Sequence, residues 1–307
     1  MQIIIRRLSL SIPTLLLLSF IVFGLLELTP GDAATAVLDP TISEAQADLV
    51  REELGFNRSF LERYLNYVGG LVRGDLGHSV RSGLPVSDEI LTRLPYTLAL
   101  IGTAIVIGTV IGVTLGAVGA FRRGTVWDTL VTGLISIGMA TPTFWLAIML
   151  VSFFSLQLRW LPVFGADSPK HLVLPALCTS LTLVPGIARL TRASLLETLG
   201  ADFILTARSK GLRGRRILGR HISPIAAISV VTYIGLRMVR LISSVTVMEI
   251  IFSWPGLGGL AVHAAFDRDP LLLQGTTLTI AALTFAILFV VDFVVLNLDP
   301  RISHKAI

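Results

Sequence analysis

Charge-free apolar blocks alternate with short polar segments along most of the chain. Windows without Asp, Glu, Lys or Arg cover 8–26, 94–121, 129–158, 171–188 and 270–291. A sixth block, 225–249, is apolar except for Arg237, Arg240 and Glu249 at its end. A membrane helix needs about 20 mostly apolar residues, because inside hydrocarbon every backbone polar group must be satisfied within the segment. The pattern predicts an all-α membrane protein with six transmembrane helices. A further charge-free window, 250–266, carries Trp254-Pro255-Gly256-Leu257-Gly258-Gly259 in its centre. Proline and paired glycines interrupt a helix, so this window is predicted to be a re-entrant or surface loop and not a seventh span.

Composition supports a bilayer setting. The 307 residues are 53% hydrophobic and 15% charged, with mean hydropathy +0.80, against about 25% charged in soluble domains. Net charge is +5, and its distribution argues against a nucleic-acid partner, since the basic residues flank apolar blocks. With the N-terminus inside, the inner segments hold Arg6, Arg7, Arg122, Arg123, Arg192, Arg208, Lys210, Arg213, Arg215, Arg216, Arg220, Arg301 and Lys305. The short outer loops then hold Arg159, Lys170 and Arg268. This bias predicts cytoplasmic termini.

Residues 29–94, with ten acids and six arginines, are too long to vote on topology. Helix-like stretches at 44–54 and 60–71 suggest a small folded outer cap. The first block resembles a signal peptide in having Arg6-Arg7 before it and Ala34-Thr35-Ala36 after it. Its length of about 19 apolar residues favours a retained anchor. In the second block Gly108, Gly112 and Gly116 recur every four residues, on one helix face where another helix can approach closely. That face is read as packing within the bundle, with a seam between subunits as the alternative.

Chemistry-bearing groups are sparse. Cys178 is the one cysteine, which excludes an intrachain disulfide. The five histidines lie far apart, with no metal-binding spacing. None of the three lysines follows a glycine, so the chain has no phosphate-binding P-loop. Asp292, His171 and scattered serines have no partner at catalytic spacing, which argues against an intramembrane enzyme. An ion-coupled transporter would be expected to show an inverted repeat, and none is visible.

The inner loop at 192–224 is the most informative stretch. A short helix is predicted at about 201–209, with Asp202 in its first turn and Gly211 past its end. Such a helix between two spans suits docking into another protein's groove, although a plain basic loop that only fixes topology fits the same residues.

Ala207, Gly211 and Pro224 resemble the cytoplasmic-loop motif of importer permeases of the ATP-binding-cassette class. There an alanine precedes the glycine by four positions and a proline follows it by thirteen. The motif's leading glutamate is replaced by Leu205. Thr206-Ala207-Arg208-Ser209-Lys210-Gly211 resembles the version in peptide-type members. So do Pro30-Gly31-Asp32, Gly74-Asp75-Leu76-Gly77-His78-Ser79, Arg93-Leu94-Pro95, Arg268-Asp269-Pro270 and Asp299-Pro300-Arg301. The outer text Glu249…Phe252-Ser253-Trp254-Pro255-Gly256-Leu257-Gly258 is the most specific piece. The whole chain resembles a permease of the dipeptide/oligopeptide/nickel family.

The resemblance implies the type I importer permease fold with an extracytoplasmic segment after helix 1. Residues 1–28 would hold the tail and helix 1, and 29–94 the outer segment. Residues 95–297 would form the transmembrane type-1 domain, with its coupling loop at about 196–224, and 298–307 a cytoplasmic tail. The coupling-loop residues would be Asp202, Thr206, Ala207, Arg208, Lys210, Gly211 and Pro224, and the outer motif Glu249, Phe252, Trp254, Pro255, Gly256 and Gly258. The implied location is the bacterial inner membrane. The implied partners are a second homologous permease in a heterodimer, two ATP-binding subunits carrying ATP and Mg, and an extracytoplasmic solute-binding protein. No cofactor or metal is expected on this chain. The implied cargo is peptides or related solutes, with glutathione, opines or nickel as alternatives. The scarcity of histidine in the spans disfavours nickel. One local departure stands out. Where the family has a glutamine, a small or aromatic residue and glycines, this chain has Arg237 and Arg240, three apart on a helix. They would either line the translocation path and attract a carboxylate-bearing solute, or form a structural ion pair, for instance with Asp292.

Overall fold

A computed structural model describes residues 2–27, 58–210 and 223–298. These residues are almost entirely helical, apart from turns and one isolated bridge between His78 and Pro85. The predicted stretch at 44–54, Gly211, most of the basic run before Pro224, and the C-terminal tail lie outside the described residues.

The helices are α1 (Gln2–Glu27), α2 (Phe60–Val72), α3 (Val86–Phe121), α4 (Val126–Ala140), α5 (Thr143–Leu150), α6 (Lys170–Ser180), α7 (Val184–Leu199), α8 (Asp202–Ser209), α9 (Ser223–Ile251), α10 (Leu257–Phe266) and α11 (Pro270–Leu298). Three of them, α1, α3 and α11, are long and apolar enough to cross a bilayer. The bent pairs α4–α5 and α6–α7 bring the number to five if each is one broken span. α9 has 29 residues, about 43 Å at ~1.5 Å per residue, of which Ala227–Met238 form its apolar part. The window 250–266 holds the ten-residue α10, too short to cross, so the expected loop is in part a helix.

The third block, expected as one span over 129–158, is broken. Its halves meet at 105°. Thr141 precedes Pro142, and the proline ring drives it to φ −82°, ψ 122°. α5 then runs on into a π-helical turn, Val151–Gln157, and Arg159 leaves at φ 55°. The fourth block bends by 54° between Ser180 and Val184, with Pro185 in the first turn of α7, where a missing N–H costs nothing. The helix then continues to Leu199. The inner loop therefore begins at Gly200, eight residues later than the charge at Arg192 suggests, because charged side chains at a membrane boundary do not stop a helix.

The chain divides into two compact units. Unit 1 comprises residues 1–97 and 255–283, and unit 2 residues 98–254 and 284–307. The core of unit 1 is formed by Val86, Ile90, Leu257, Leu260, Ala264 and Leu272. Within it, Gly77 and Gly83 (φ 79° and 71°) turn the chain through a tight hairpin at 77–86. The hairpin is pinned by a carboxylate that is 2% exposed, Asp269. Asp269 Oδ2 accepts from Ser79 Oγ at 2.6 Å and from the Arg81 N–H at 3.3 Å. Its Oδ1 caps α11 by accepting from the Leu272 N–H at 3.0 Å. Hydrogen bonds to a buried charge are worth about 1.5–3 kcal/mol each. Asp269→Ala is therefore expected to release the hairpin, seen as faster amide exchange at residues 79–86. Unchanged protection there would show that the carboxylate does not hold it.

Unit 2 is built on helix–helix contact. α7 packs on α4 and on α9, and the glycine face of α3 lies against α7. A Cβ on Gly112 would sit 2.7 Å from Ile187 Cβ, and one on Gly116 would sit 2.5 Å from the Ala188 carbonyl. The glycines are thus used for packing within this chain.

Candidate functional site

The helix expected at 201–209 is present as α8. Gly200 ends α7, its N–H reaching the carbonyls of Leu196 and Glu197, and Asp202 opens the next helix. The Thr206 hydroxyl bonds back to the Asp202 carbonyl at 3.1 Å. Asp202, Phe203, Thr206 and Lys210 are exposed, on one side of a helix of two turns. The opposite side carries Ile204, 1% exposed, packed with Ala120 at the end of α3 and Leu195 of α7. Ile204 was missed by the sequence reading. The sequence carried no clear signal for it, because Phe203 and Leu205 on either side are as large and apolar. Pro224 lies in the first turn of α9. For Ala207 and Arg208 only helical placement is described.

Beside this element a second anchor joins α7 to α4. Arg192 Nε and Nη2 donate to the two Asp128 carboxylate oxygens at 2.8 and 2.9 Å. The Gly124 N–H donates to Asp128 Oδ2 at 3.1 Å. Such bidentate pairing fixes orientation as well as charge. The Arg192 stem crosses Gly119 of α3, where a Cβ would come within 3.1 Å of Arg192 Cδ. Arg192 figured in the sequence only as a topology signal.

The structure separates the two arginines of α9. Arg237 is half-buried, its guanidinium carbon 5.2 Å from the Tyr233 ring centroid. Tyr233 is itself buried, its hydroxyl set directly against Gly186 of α7. Arg237 is thus held by a cation–π contact. Arg240 is exposed, on a face with Leu236, Ser243 and Val247. Among the described residues it makes no hydrogen bond or ion pair.

At the other end of α9, Glu249, Phe252 and Trp254 are buried. The Trp254 N–H closes on the Glu249 carbonyl at 2.8 Å, and the Gly165 N–H donates to the Phe252 carbonyl at 3.1 Å. Ser253 takes φ 49°, which turns the chain. In unit 1, Gly256 precedes α10, whose first N–H, on Leu257, donates to Thr97 Oγ1 at 2.8 Å. Gly258 is buried in α10, while Pro255 is half-buried. The motif is a helix stop followed by a capped helix start, so its residues serve backbone geometry.

Residues 108–304 match the family described as the inner-membrane component of binding-protein-dependent transport systems, and residues 1–101 match its N-terminal component. The chain belongs to this family. Among relatives of these transport components, the oligopeptide permease AppB of Bacillus subtilis is 36% identical over 312 residues, covering 98% of this chain and 99% of its own. The dipeptide permease DppB of Escherichia coli is 33% identical over 337 residues, covering 99% of each chain. The glutathione permease GsiC of Escherichia coli is 35% identical, covering 98% of this chain and 99% of its own. Among solved structures, the inward-facing methionine transporter MetNI matches with TM-score 0.56 at 20% identity, over 68% of this chain and 96% of that one. The type I importer permease fold expected from the sequence is the fold found.

Proposed function

We propose that this inner-membrane component is one of two membrane-spanning permeases of an ATP-binding-cassette importer for peptides or related small solutes. The observation that carries the reading is α8, a short helix with an exposed outer face and a buried hook, in a chain aligned end to end with an oligopeptide permease at 36% identity. In this reading the termini are cytoplasmic and α8 docks into cytoplasmic ATPases that bind and hydrolyse Mg·ATP. A second, homologous permease completes the path, and an external solute-binding protein delivers cargo.

Closure of the ATPases pushes on the exposed Asp202–Lys210 face. Ile204 passes the displacement to α3 and α7, and the Arg192–Asp128 pair carries α4 along with α7. The helix breaks at 141–142 and 181–183 interrupt the hydrogen-bond ladder, so inner halves can swing without unfolding outer halves. Uptake of labelled peptides into proteoliposomes holding the whole complex, ATP and the binding protein tests the reading. Uptake of glutathione but not of ordinary α-linked peptides would favour glutathione as the solute, which the 35% identity to a glutathione permease supports. Uptake by this chain alone would overturn both.

Arg240 is assigned to the path and Arg237 to the packing of α9. An exposed cation at membrane depth is costly unless it meets water, a partner or an anion. Arg240→Gln is expected to raise KM several-fold for a peptide with a free C-terminal carboxylate, and little for the same peptide amidated. Arg237→Gln is expected to lower thermal stability with KM unchanged. Equal KM shifts for both peptides in Arg240→Gln would remove Arg240 from the path.

A further inference from the structure

The outer segment was expected to form a small folded cap, and its helix α2 leaves an apolar stripe open. Its ends are well specified. Ser59 Oγ accepts from the Glu62 N–H at 3.4 Å, and the Glu62 carboxylate accepts from the Ser59 N–H at 3.2 Å, a capping box. One side is aromatic and covered. Phe60 and Tyr64 stack edge-on against Phe20 and Phe23 of α1, with ring centroids 5.1–5.6 Å apart. The adjoining side carries Leu61, Leu65, Val68 and Val72, at helical spacing i, i+4, i+7, i+11. Leu61 is 58% exposed, Leu65 59% and Val72 83%. Exposed polar residues, Glu62 and Asn66, lie on the remaining arc.

The contacts with α1 set the depth of this helix. Tyr64 Oη donates to the Leu16 carbonyl at 3.0 Å and shares a hydrogen bond with Ser19 Oγ at 2.9 Å. The apolar window of α1 is Ser9–Leu26, so Leu16 lies ten positions before its end. At ~1.5 Å per residue that is about 15 Å, half the ~30 Å hydrocarbon core. The body of α2 sits higher, at Phe20–Phe23, which is about 5–9 Å inside the boundary by the same rise. At this level α1 also exposes apolar side chains, with Phe20 42%, Ile21 47% and Leu25 60% exposed. The open stripe of α2 therefore continues the lipid-facing surface of a span.

We infer that α2 is embedded in the leaflet at the C-terminal end of α1, with Leu61, Leu65, Val68 and Val72 against lipid acyl chains. The leaflet is the outer one under the orientation proposed above; the embedding itself does not depend on it. An apolar arc on a capped amphipathic helix is the form that binds a bilayer in its plane. The segment after α1 is thereby tied to the membrane before it reaches the hairpin held by Asp269.

The test uses the full importer complex in phosphatidylcholine/phosphatidylglycerol liposomes. Cys178→Ala removes the native thiol. Leu61→Cys, Leu65→Cys and Asn66→Cys, made singly, carry a nitroxide whose collisions with oxygen and with a water-soluble nickel chelate are compared. At 61 and 65 oxygen is expected to dominate, and at 66 the chelate share is expected to rise. Dominance of the chelate at 61 and 65 would mean a helix in water and would overturn the inference. Suppression of both collision rates would mean a protein partner covers the stripe, which overturns it equally. A benzophenone amino acid at position 65 gives an independent reading without cysteine. Lipid adducts are expected, and adducts to protein alone would count against the embedding.

Discussion

In the reconstituted complex, Ile204→Ala is expected to cut solute-stimulated ATP hydrolysis and uptake by about tenfold or more while the ATPases stay bound. The side chain is 1% exposed, seated with Ala120 and Leu195. Truncating a buried isoleucine costs about 2–5 kcal/mol, and ~1.4 kcal/mol shifts an equilibrium tenfold. A two-turn helix has little stability of its own, so its position depends on buried contacts such as that of Ile204. The exposed face, Asp202, Phe203, Thr206 and Lys210, is untouched by the change, so docking should persist while transmission fails. Phe203→Ala, on the exposed face, is the contrasting variant and is expected to weaken co-purification of the ATPases. Normal coupling in Ile204→Ala, measured as solute transported per ATP, would show that force enters the permease elsewhere.

Much of this arrangement was legible in the amino-acid pattern because a bilayer imposes a simple rule. A charge-free block long enough to cross is a helix, and the blocks ending near Leu26, Phe121 and Val291 lie in α1, α3 and α11. The same rule was blind to shape. Thr141-Pro142 turned one expected span through 105°, and hydropathy carries no signal for a bend. α8 was readable from Asp202 and the glycine beyond it, since caps are local chemistry. Its buried anchor depends on Ala120 and Leu195, brought together only by tertiary packing. The same holds for Arg192, whose partner Asp128 lies 64 residues away. Asp269 was readable in principle, as an Asp before Pro270 is a helix-start signal. Its reach back to Ser79, across 190 residues, was not. Arg237 and Arg240 share a spacing in sequence and differ in space, because Tyr233 stands one turn before the first of them.

The glycine face of α3 yields the other large effect. Gly116→Ala is expected to abolish a detergent-stable complex or lower its thermal midpoint sharply, and Gly102→Ala is expected to leave it unchanged or slightly raised. The two positions lie on one helix and receive the same methyl group. At Gly116 that methyl would stand 2.5 Å from the Ala188 carbonyl, 2.7 Å from Thr191 Cβ and 3.1 Å from the Arg192 backbone nitrogen. Two of those neighbours are backbone, so no rotamer change relieves the clash and α3 and α7 must separate. Overpacking a core costs about 1–3 kcal/mol where side chains can yield, and here the strain falls on the backbone. At Gly102 a Cβ meets nothing within 4 Å, and glycine in a helix is about 1 kcal/mol less favourable than alanine. Opposite signs from one substitution at two sites would tie the close approach of α3 and α7 to stability. Similar melting for both would mean that the glycines are spectators. Because α7 also bears Arg192 and leads through Gly200 into α8, any separation at Gly116 displaces the coupling helix. Residual Gly116→Ala complex should therefore be uncoupled as well as unstable, whereas Gly102→Ala should transport normally.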